Sequence, residues 1–342
     1  MIPVEKPMPS RTIVALAMSP DMCKRMFRIE DLDRLHAMAS VRGPLPVHHT
    51  IDDYRKLLAE AHVLMTGWGT PRLTAPLLVD APRLKLVTHS AGSVKGVLDD
   101  SVYEHGVRVT TAASANATAV AQYTVAMMVS MLKQVPWIGA AYARADTDDV
   151  RRRRGAIREL MDMDIGIIGA SRVGREVIAM LKQYPRLTIK CYDPYLSPAD
   201  AEQLGVISVS LQDCCRCEVV SVHAPNIPET HRMLNARTLS LLPDHGILIN
   251  TARGALLDED ALVAELNRRP LYACLDVTDP EPPAQDSTLR SAPNLILTPH
   301  IAGAIQQACR DMGRLAIEEV TRFIHGEPPL HEVTRDMLPT QA

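Results

Sequence analysis

The sequence lacks the features that mark membrane proteins, exported proteins and nucleic-acid-binding proteins. No apolar run reaches the roughly twenty residues that a membrane-spanning helix requires. The formal net charge is only −3, which gives no electrostatic reason to expect nucleic acid or an anionic membrane as a partner. The first residues, MIPVEKPMPSRT, carry prolines and a glutamate where a signal peptide needs a basic start and an apolar core. We therefore predict a cytoplasmic protein whose partner is a small molecule or another protein.

Cysteine is present, but its distribution does not suggest a disulfide framework. The seven cysteines are odd in number and scattered, which is typical of free thiols in a reducing cytoplasm. The cluster of Cys214, Cys215 and Cys217 has no second ligand pair at the spacing of a zinc site, and it precedes an apolar run at 219–222. We predict the end of a helix at this cluster, and no bound metal.

The chain of 342 residues is long enough for two domains. Short apolar runs that alternate with helical patterns predict strands at 11–18, 62–66, 84–88, 106–110, 165–168, 219–222, 246–250, 272–276 and 295–298. This alternation predicts two parallel α/β sheets. Residues 116–135 predict a long helix that is either simply buried or also a hinge and subunit contact. The arginines at 151–154 predict a solvated linker or the rim of a subunit contact.

One segment of the second series has the pattern of a dinucleotide-binding turn. The apolar run at 165–168 ends in Gly169, Gly174 opens an amphipathic helix, and Asp193 follows the next apolar run. Asp193 lies about twenty residues beyond the turn, where such folds place the acid that binds a ribose diol. Ser171 stands at the position of the middle glycine. On this spacing alone, a cofactor turn and an ordinary βα turn both remain open.

Three residues at predicted strand ends suggest a reaction site: Arg253, Glu281 and His300. Ligands of open parallel sheets lie beyond the carboxyl ends of the strands. Arginine can hold a carboxylate with two hydrogen bonds, and histidine exchanges a proton near neutral pH while a neighbouring carboxylate orients its ring. The set fits reduction of a 2-keto acid with His300 as the proton donor. Taken singly, Arg253 also fits a surface ion pair and His300 a helix cap.

Longer blocks carry a resemblance to a known family. They are YDPYLSPADAEQLGV from Tyr192, LINTARGALLDEDALVAEL from Leu248, LDVTDPEPP from Leu275 and NLILTPHIAGA from Asn294. In this order, within about 84–303, they resemble the D-isomer-specific 2-hydroxyacid dehydrogenases, in particular the glyoxylate and hydroxypyruvate reductases. The resemblance implies two doubly wound parallel-sheet domains. A Rossmann NAD-binding domain, 112–304, would be inserted into a flavodoxin-like substrate domain formed by 1–111 and 305–342.

The resemblance also implies a role for individual residues. Arg253 would bind the substrate carboxylate and carbonyl, and Glu281 would favour the protonated form of His300, the general acid and base. The cofactor-binding positions implied are Gly169, Ser171, Arg172, Val173, Gly174, Asp193, His223, Ala224, Pro225, Thr230, Thr251, Ala252, Asp276 and Gly303. Those implied for the substrate are Ala91, Gly92, Ser93 and Trp68, with Arg253 and His300. An acid at Asp193 repels a 2′-phosphate, so NAD is expected rather than NADP.

The branch of the family is a separate question. Ser171, Gln122 and Lys95 depart from the usual residues of the family without removing a catalytic group. The resemblance favours an unphosphorylated 2-keto acid. The phosphoglycerate branch has an arginine in the loop at 67–69 or an added regulatory domain, for which the residues after Phe323 are too few. Two alternatives stay open: an NAD-sensing, corepressor-like binding protein, and a dehydrogenase of phosphite or a phosphonate. A homodimer through about 116–154 is expected from the family.

Overall fold

The computed structural model describes residues 11–340, and these form two compact units. The first unit contains the described residues up to Asn116 and from Ala304 onward, and the second is Ala117–Gly303. These divisions lie a few residues from the predicted boundaries. Most of the N-terminal segment from which the absence of a signal peptide was predicted, residues 1–10, lies outside the described residues.

The first unit is built on a five-stranded parallel sheet. Its strands are β1 (Ile13–Ala17), β2 (Ser40–Arg42), β3 (Val63–Thr66), β4 (Leu86–His89) and β5 (Arg108–Thr111). Its helices are α1 (Pro20–Met26), α2 (Ile29–Met38), α3 (Ile51–Leu58), α4 (Ala75–Val79), α5 (Ser101–Glu104) and, from the end of the chain, α14 (Gln307–Ile324). The strand order β2-β1-β3-β4-β5 is the flavodoxin-like order.

The second unit is built on a seven-stranded parallel sheet. Its strands are β6 (Asp164–Ile168), β7 (Thr188–Tyr192), β8 (Ile207–Ser208), β9 (Val219–Val222), β10 (Ile247–Asn250), β11 (Tyr272–Leu275) and β12 (Leu295–Leu297). Helix α6 (Ala113–Leu132) begins within the first unit's residues and continues into the second. The other helices are α7 (Val135–Ala143), α8 (Thr147–Arg154), α9 (Arg172–Leu181), α10 (Pro198–Leu204), α11 (Leu211–Cys214), α12 (Ala236–Leu239) and α13 (Glu259–Arg268). Short 3₁₀ turns lie at Pro228–Thr230, Gly254–Leu256, Thr288–Ser291 and Arg335–Thr340.

The strand order β12-β11-β10-β9-β6-β7-β8 is that of a doubly wound dinucleotide-binding sheet, with the reversal between β9 and β6. Strands β9, β10 and β11 are buried along their whole length. Helices cover both faces of such a sheet, so its strands appear in the sequence as continuous rather than alternating apolar runs. The predicted fold class, two doubly wound parallel sheets, is therefore confirmed.

Two further predictions are confirmed, and two short strands were missed. The long helix is confirmed as α6, which ends at Leu132, shortly before the left-handed backbone of Gln134. The cysteine cluster lies at the end of α11, as expected. The short edge strands β2 and β8, three and two residues long, were not predicted because so few residues carry no periodic pattern.

The arginines at 151–154 are mostly exposed, as the prediction of a solvated segment requires, but they belong to a helix rather than to an irregular linker; their place at the rim of a subunit contact stays a prediction. They are the last turn of α8, a helix that Asp146 caps by accepting a hydrogen bond from the backbone of Asp149. Asp148 and Asp149 pair with arginines three and four residues later. Pairs of an acid and an arginine at this spacing stabilise a helix. The prediction rested on the run of arginines alone and did not include these pairs.

Two findings concern membrane crossing and metal binding by residues 11–340. None of the helices found there combines the length and the apolar character that a membrane crossing requires. Within the same residues, no group of three or more histidine, cysteine or acidic side chains is arranged to hold a metal ion.

Candidate active site

The carboxyl ends of five strands of the second unit lie in one line across the sheet. Ile168 pairs with Val222, Val222 with Asn250, Asn250 with Leu275, and Leu275 with Leu297. Because these last residues are in register, the residues that follow them emerge at one edge. Those residues are Gly169, His223, Thr251, Asp276 and Thr298. The register thus brings predicted cofactor positions from four separate segments to one edge of the sheet.

The turn after β6 has the close packing that a dinucleotide turn needs. Gly169 has a φ of +98°, and a Cβ there would lie 2.7 Å from the backbone nitrogen of Ala224. A Cβ on Gly174 would lie 2.1 Å from the carbonyl oxygen of Gly169. Gly169 therefore requires glycine for both its φ and the space beside Ala224, and Gly174 requires glycine because no Cβ fits beside the carbonyl of Gly169. The backbone N–H groups at the start of α9 are placed as an anion-binding helix start.

The side chains of Ser171 and Asp193 both serve this turn. Ser171 is the N-cap of α9, and its hydroxyl oxygen accepts a hydrogen bond from the backbone of Gly174 at 3.3 Å. Asp193 directly follows β7, and its carboxylate accepts hydrogen bonds from the backbones of Ala170 (2.8 Å) and Tyr195 (2.9 Å). The acid is thereby held beside the turn, where the ribose of NAD would be bound. The turn, its cap and its acid fit the cofactor that the sequence predicts.

The loop after β9 closes the other side of the turn. His223 is buried and hydrogen-bonded to Ser221, and burial lowers its pKa to about 3, so its ring is neutral at neutral pH. Further along this loop, the hydroxyl of Thr230 donates to the carbonyl of Pro225 at 2.6 Å. Ala224, which lies between His223 and Pro225, is buried against Gly169. His223 and Thr230 thus shape the loop, and Pro225 is fixed by it.

The loop after β10 carries Arg253. Asn250 holds this loop: its amide oxygen accepts from the backbone of Ala252 (3.0 Å), and its amide nitrogen donates to the carbonyl of Arg253 (2.8 Å). Burial lowers the pKa of the Arg253 guanidinium, and the Glu281 carboxylate acts in the opposite direction. A half-buried guanidinium influenced by an acid retains its charge and can hold a carboxylate.

His300 and Glu281 form a hydrogen-bonded pair. The Nδ1 atom of His300 lies 2.7 Å from Oε1 of Glu281, and their side chains are 49% and 41% exposed. Because a carboxylate can only accept, Nδ1 carries the proton, and Nε2 is left to exchange a proton with a bound molecule. His300 has a φ of +54°, a strained conformation of the kind that collects at functional sites.

Asp276 holds the loop that carries His300. This buried carboxylate accepts hydrogen bonds from the Thr298 hydroxyl (2.6 Å) and from the backbones of Ile301 (2.8 Å) and Ala302 (2.9 Å). The Thr298 hydroxyl gives its proton to Asp276, so the Tyr123 hydroxyl, 2.7 Å away, must donate to Thr298. A directed chain of hydrogen bonds thus runs from α6 to the His300 loop.

The structure brings some of the predicted residues together and leaves others apart. Asp276, Glu281 and His300 line one cavity of about 430 Å³, and Arg253 is not among its lining residues. Thr251 and Ala252 precede Arg253 in its loop, Arg172 and Val173 form the first turn of α9, and Gly303 ends the second unit.

The predicted substrate residues outside the catalytic set lie in the first unit. Ala91, Gly92 and Ser93 follow β4, and the Thr111 hydroxyl donates to the carbonyl of Ala91 at 2.9 Å. Trp68 follows β3 and is 37% exposed, with the guanidinium carbon of Arg25 5.4 Å from its ring centroid.

Sequence reasoning missed the residues that position the others. Asn250, Tyr123 and Thr298 were not singled out, although Asn250 ends a predicted strand and Thr298 lies two residues before His300. It also missed Gly166, where a Cβ would lie 2.4 Å from the carbonyl oxygen of Cys214. A glycine inside a strand pattern is the signal that could have indicated this close approach.

The fold and the site together define a class: a dinucleotide-binding α/β protein with a histidine–carboxylate pair and an arginine after neighbouring strands. Comparison with known proteins gives the family. The model of the D-isomer specific 2-hydroxyacid dehydrogenase NAD binding domain matches residues 125–302. The chain belongs to this family, and NAD is its cofactor, as predicted.

Individual relatives agree with this assignment. The chain is 28% identical over 295 residues to D-3-phosphoglycerate dehydrogenase of Methanocaldococcus jannaschii, covering 85% of this chain and 55% of that protein. It is 31% identical over 280 residues to D-3-phosphoglycerate dehydrogenase of Mycobacterium tuberculosis, covering 80% and 52%. The chain thus spans about half the length of these relatives. The apo structure of D-mandelate dehydrogenase from Rhodotorula graminis has the same fold, with a TM-score of 0.81, 22% identity, and coverage of 95% of this chain and 98% of that one.

Proposed function

We propose that the protein is an NAD(H)-dependent oxidoreductase that interconverts a small 2-keto acid and its D-2-hydroxy acid. The observation that carries the proposal is the 2.7 Å contact between His300 and Glu281. This pair lies in the same unit as the NAD-binding turn and beyond the ends of the parallel strands. An accessible imidazole with Nδ1 bonded to a carboxylate is suited to general acid–base catalysis.

Each residue of the site has a definite task in this reaction. Bound NADH supplies the hydride in the reduction direction. Arg253 orients the substrate carboxylate and polarises the carbonyl through its planar guanidinium. His300 donates a proton from Nε2 to the carbonyl oxygen as that oxygen gains negative charge, and Glu281 stabilises the imidazolium before the transfer. In the oxidation direction, His300 accepts the proton from the hydroxyl group.

Our preferred substrate is unphosphorylated, as in glyoxylate and hydroxypyruvate reductases. The residues that support this are Gly67, Trp68 and Gly69, which supply no cation for a phosphate in the loop after β3. The loop of Ala91, Gly92 and Ser93 would bind the substrate carboxylate through its backbone N–H groups. The M. jannaschii and M. tuberculosis relatives are named for a phosphorylated substrate, so the two possibilities must be compared directly.

The decisive experiment follows NADH oxidation by absorbance. The panel contains glyoxylate, hydroxypyruvate, pyruvate, 2-ketobutyrate, phenylpyruvate and 3-phosphohydroxypyruvate, with phosphite and NAD as a separate arm. We expect the highest kcat/KM with an unphosphorylated 2-keto acid. A preference for 3-phosphohydroxypyruvate would overturn the substrate proposal and leave the chemistry intact. Tight NADH binding without turnover of any compound would favour an NAD-sensing, corepressor-like protein.

A substitution at the proton donor tests the mechanism separately. His300→Gln removes the exchangeable proton while leaving the cofactor turn untouched, so we expect kcat to fall by about 10²- to 10⁴-fold and the Kd for NADH to change little. His105→Gln, at an exposed position of the first unit, serves as the control. An unchanged kcat in His300→Gln would refute the assignment of the acid.

We also propose that the protein acts in the cytoplasm as a homodimer joined through the segment 116–154. In that segment α7 leaves Val135 56% and Tyr142 79% exposed, which are apolar surfaces that a second copy would cover. Light scattering at working concentration should give twice the mass of the 37.6 kDa chain. A monomeric mass would exclude this arrangement.

A further inference from the structure

The second unit has another cavity, of about 330 Å³, at the opposite end of its sheet from the His300 site. It is lined by Arg152 and Arg153 from α8, His245 before β10, Tyr272 at the start of β11 and Asn294 before β12. None of these residues has a part in the proposed reaction. Proline and alanine side chains complete the lining, and no acidic residue is among the described residues that form it.

Arg153 is held in a fixed position in this cavity. Its side chain is only 17% exposed, and its Nε donates to both carboxylate oxygens of Asp149, at 3.0 and 3.1 Å. The guanidinium carbon lies 5.8 Å from the ring centroid of Trp137, a cation–π contact. Its Nη1 has only long contacts of 3.4 Å, to Gln134 and Asn294. The guanidinium is therefore preorganised and has hydrogen-bonding capacity to spare.

Positive charge exceeds negative charge around the cavity. Asp149 also accepts a hydrogen bond from Arg152 at 2.6 Å, so this carboxylate pairs with two guanidinium groups, and Asp146 is a second acid that acts on Arg152. Arg158 lies next to the lining: its Nη2 donates to the carbonyl of His245 at 2.5 Å, and its buried Nε has no hydrogen-bond partner. A third cation thus adjoins the cavity without a carboxylate of its own among the described residues.

Two aromatic side chains add hydrogen-bonding groups. The ring of Tyr272 packs against Trp137 with centroids 4.9 Å apart, and against His245 with centroids 6.4 Å apart. In residues 11–340 neither the Tyr272 hydroxyl nor the His245 ring has a hydrogen bond to another group. The cavity thus combines a fixed guanidinium, a second arginine, a hydroxyl and an imidazole.

We propose that this cavity binds a small oxyanion, a carboxylate or phosphate group on a compact body, at a site separate from the cofactor and substrate sites. Arginine's planar fork matches the geometry of both kinds of oxyanion. A volume of about 330 Å³ is at the lower end of the range for small-molecule sites, roughly 300–1,000 Å³. Tyr272 and Asn294 place the ligand at the starts of β11 and β12, whose other ends carry Asp276 and Thr298.

Binding can be measured without any turnover, so the test does not depend on the proposed reaction. Inorganic phosphate and malonate are titrated in separate arms against the protein saturated with NADH, with chloride keeping the ionic strength constant, and the melting temperature is recorded. A ligand that binds only the folded protein raises this temperature in a saturable way. We expect saturation in at least one arm, and the arm with the lower Kd identifies the preferred oxyanion.

Matched variants locate the site. Arg153→Gln should raise the Kd at least tenfold. Tyr272→Phe, which keeps the ring packing and removes only the hydroxyl, should raise it about three- to tenfold. Arg151→Gln changes the same helix at a side chain that is 80% exposed and paired with Asp148, and it should leave the Kd unchanged. Arg253→Gln should also leave it unchanged, since that arginine belongs to the other site.

Several results would overturn the proposal. They are the absence of saturation in both arms, equal responses in the Arg153→Gln, Tyr272→Phe and wild-type proteins, and loss of the response in Arg253→Gln. The titration is repeated at a tenfold higher protein concentration. Because Arg152 and Arg153 also lie in the segment 116–154 proposed for the homodimer contact, a Kd that rises with protein concentration would mean that a second copy of the chain fills the cavity, which contradicts a small-molecule site.

Discussion

The carboxylate of Asp276 offers the sharpest test of how the His300 loop is held. In the Asp276→Asn variant one of the two carboxylate oxygens becomes an NH₂ group, which cannot accept a hydrogen bond. The backbone N–H of either Ile301 or Ala302 then loses its acceptor, and these bonds are 2.8 and 2.9 Å long in the native protein. A buried N–H left without a partner costs about 2 kcal/mol. For a domain of this size that corresponds to a fall in melting temperature of roughly 4–8 °C.

The same variant should impair catalysis, because His300 lies in the loop that loses its anchor. A misplacement of about 1 Å can cost about 10²-fold in rate, so we expect kcat to fall by about ten- to a hundredfold. Glu319→Gln is the matched control. Glu319 is also a buried carboxylate that accepts backbone hydrogen bonds, from Leu330 and His331, but it lies in the first unit.

The assays are thermal unfolding and steady-state NADH oxidation on both variants. In Glu319→Gln the amide oxygen can keep both bonds, because Leu330 and His331 donate to the same carboxylate oxygen, so this variant should lose less stability and keep its kcat at temperatures where it is folded. If Asp276→Asn kept the wild-type melting temperature, or if both variants lost the same fraction of kcat, the anchoring role of Asp276 would be wrong.

Three further predictions concern the turn after β6 and the buried side chain of His89. Gly174→Ala places a Cβ 2.1 Å from the carbonyl oxygen of Gly169, so calorimetry should show NADH binding abolished or the unit unfolded, whereas Gly139→Ala, with open space around it, should behave like wild type. Ser171→Ala removes the cap of α9 and should lower the free energy of unfolding by about 1 kcal/mol, measured with denaturant. In Ser171→Gly the affinity for NADH is measured: weaker binding would indicate a hydroxyl contact with the pyrophosphate, and tighter binding would indicate a steric cost of the native serine. Burial lowers the pKa of His89 from 6.5 to about 4. As the pH falls, the unfolded chain therefore takes up a proton at this histidine before the folded protein does. The contribution of the neutral, buried His89 to stability is complete above pH 6.5 and is lost as the pH falls towards 4. Between pH 7 and pH 5 the wild type should therefore lose about 2 kcal/mol more than His89→Gln in denaturant unfolding, and equal losses would contradict this assignment.

Strands and the long helix were predictable because their signals are local. Runs such as 219–222 and 246–250 are continuous apolar segments that end in polar residues, and the structure places β9 and β10 there to within one residue. The solvation of the four arginines was predicted, but helix α8 was not, because its signal lies in the pairing of these arginines with acids three and four residues earlier. The edge strands β2 and β8, of three and two residues, are too short to have a pattern.

The dinucleotide turn shows where local spacing stops being informative. Gly169 and Gly174 could be noticed from their positions, but an ordinary turn was equally consistent with them. The need for glycine comes from Ala224 and from the carbonyl of Gly169, and the contact with Ala224 joins segments some fifty residues apart in the chain. Ser171, which looked like a defect in the motif, is the cap of the following helix.

The sequence alone determined the chemical groups of this protein and the sheet edge at which they would lie. Arg253, Glu281 and His300 follow predicted strands, and parallel strands present their carboxyl ends on one side. Only the tertiary structure decided how those groups are held: Asn250 fixes the arginine loop, Asp276 the histidine loop, and Tyr123 reaches the latter through Thr298. These contacts depend on the register between strands and on the packing of α6 against them. Hydrogen bonds between residues far apart in the chain leave no periodic trace in a single sequence.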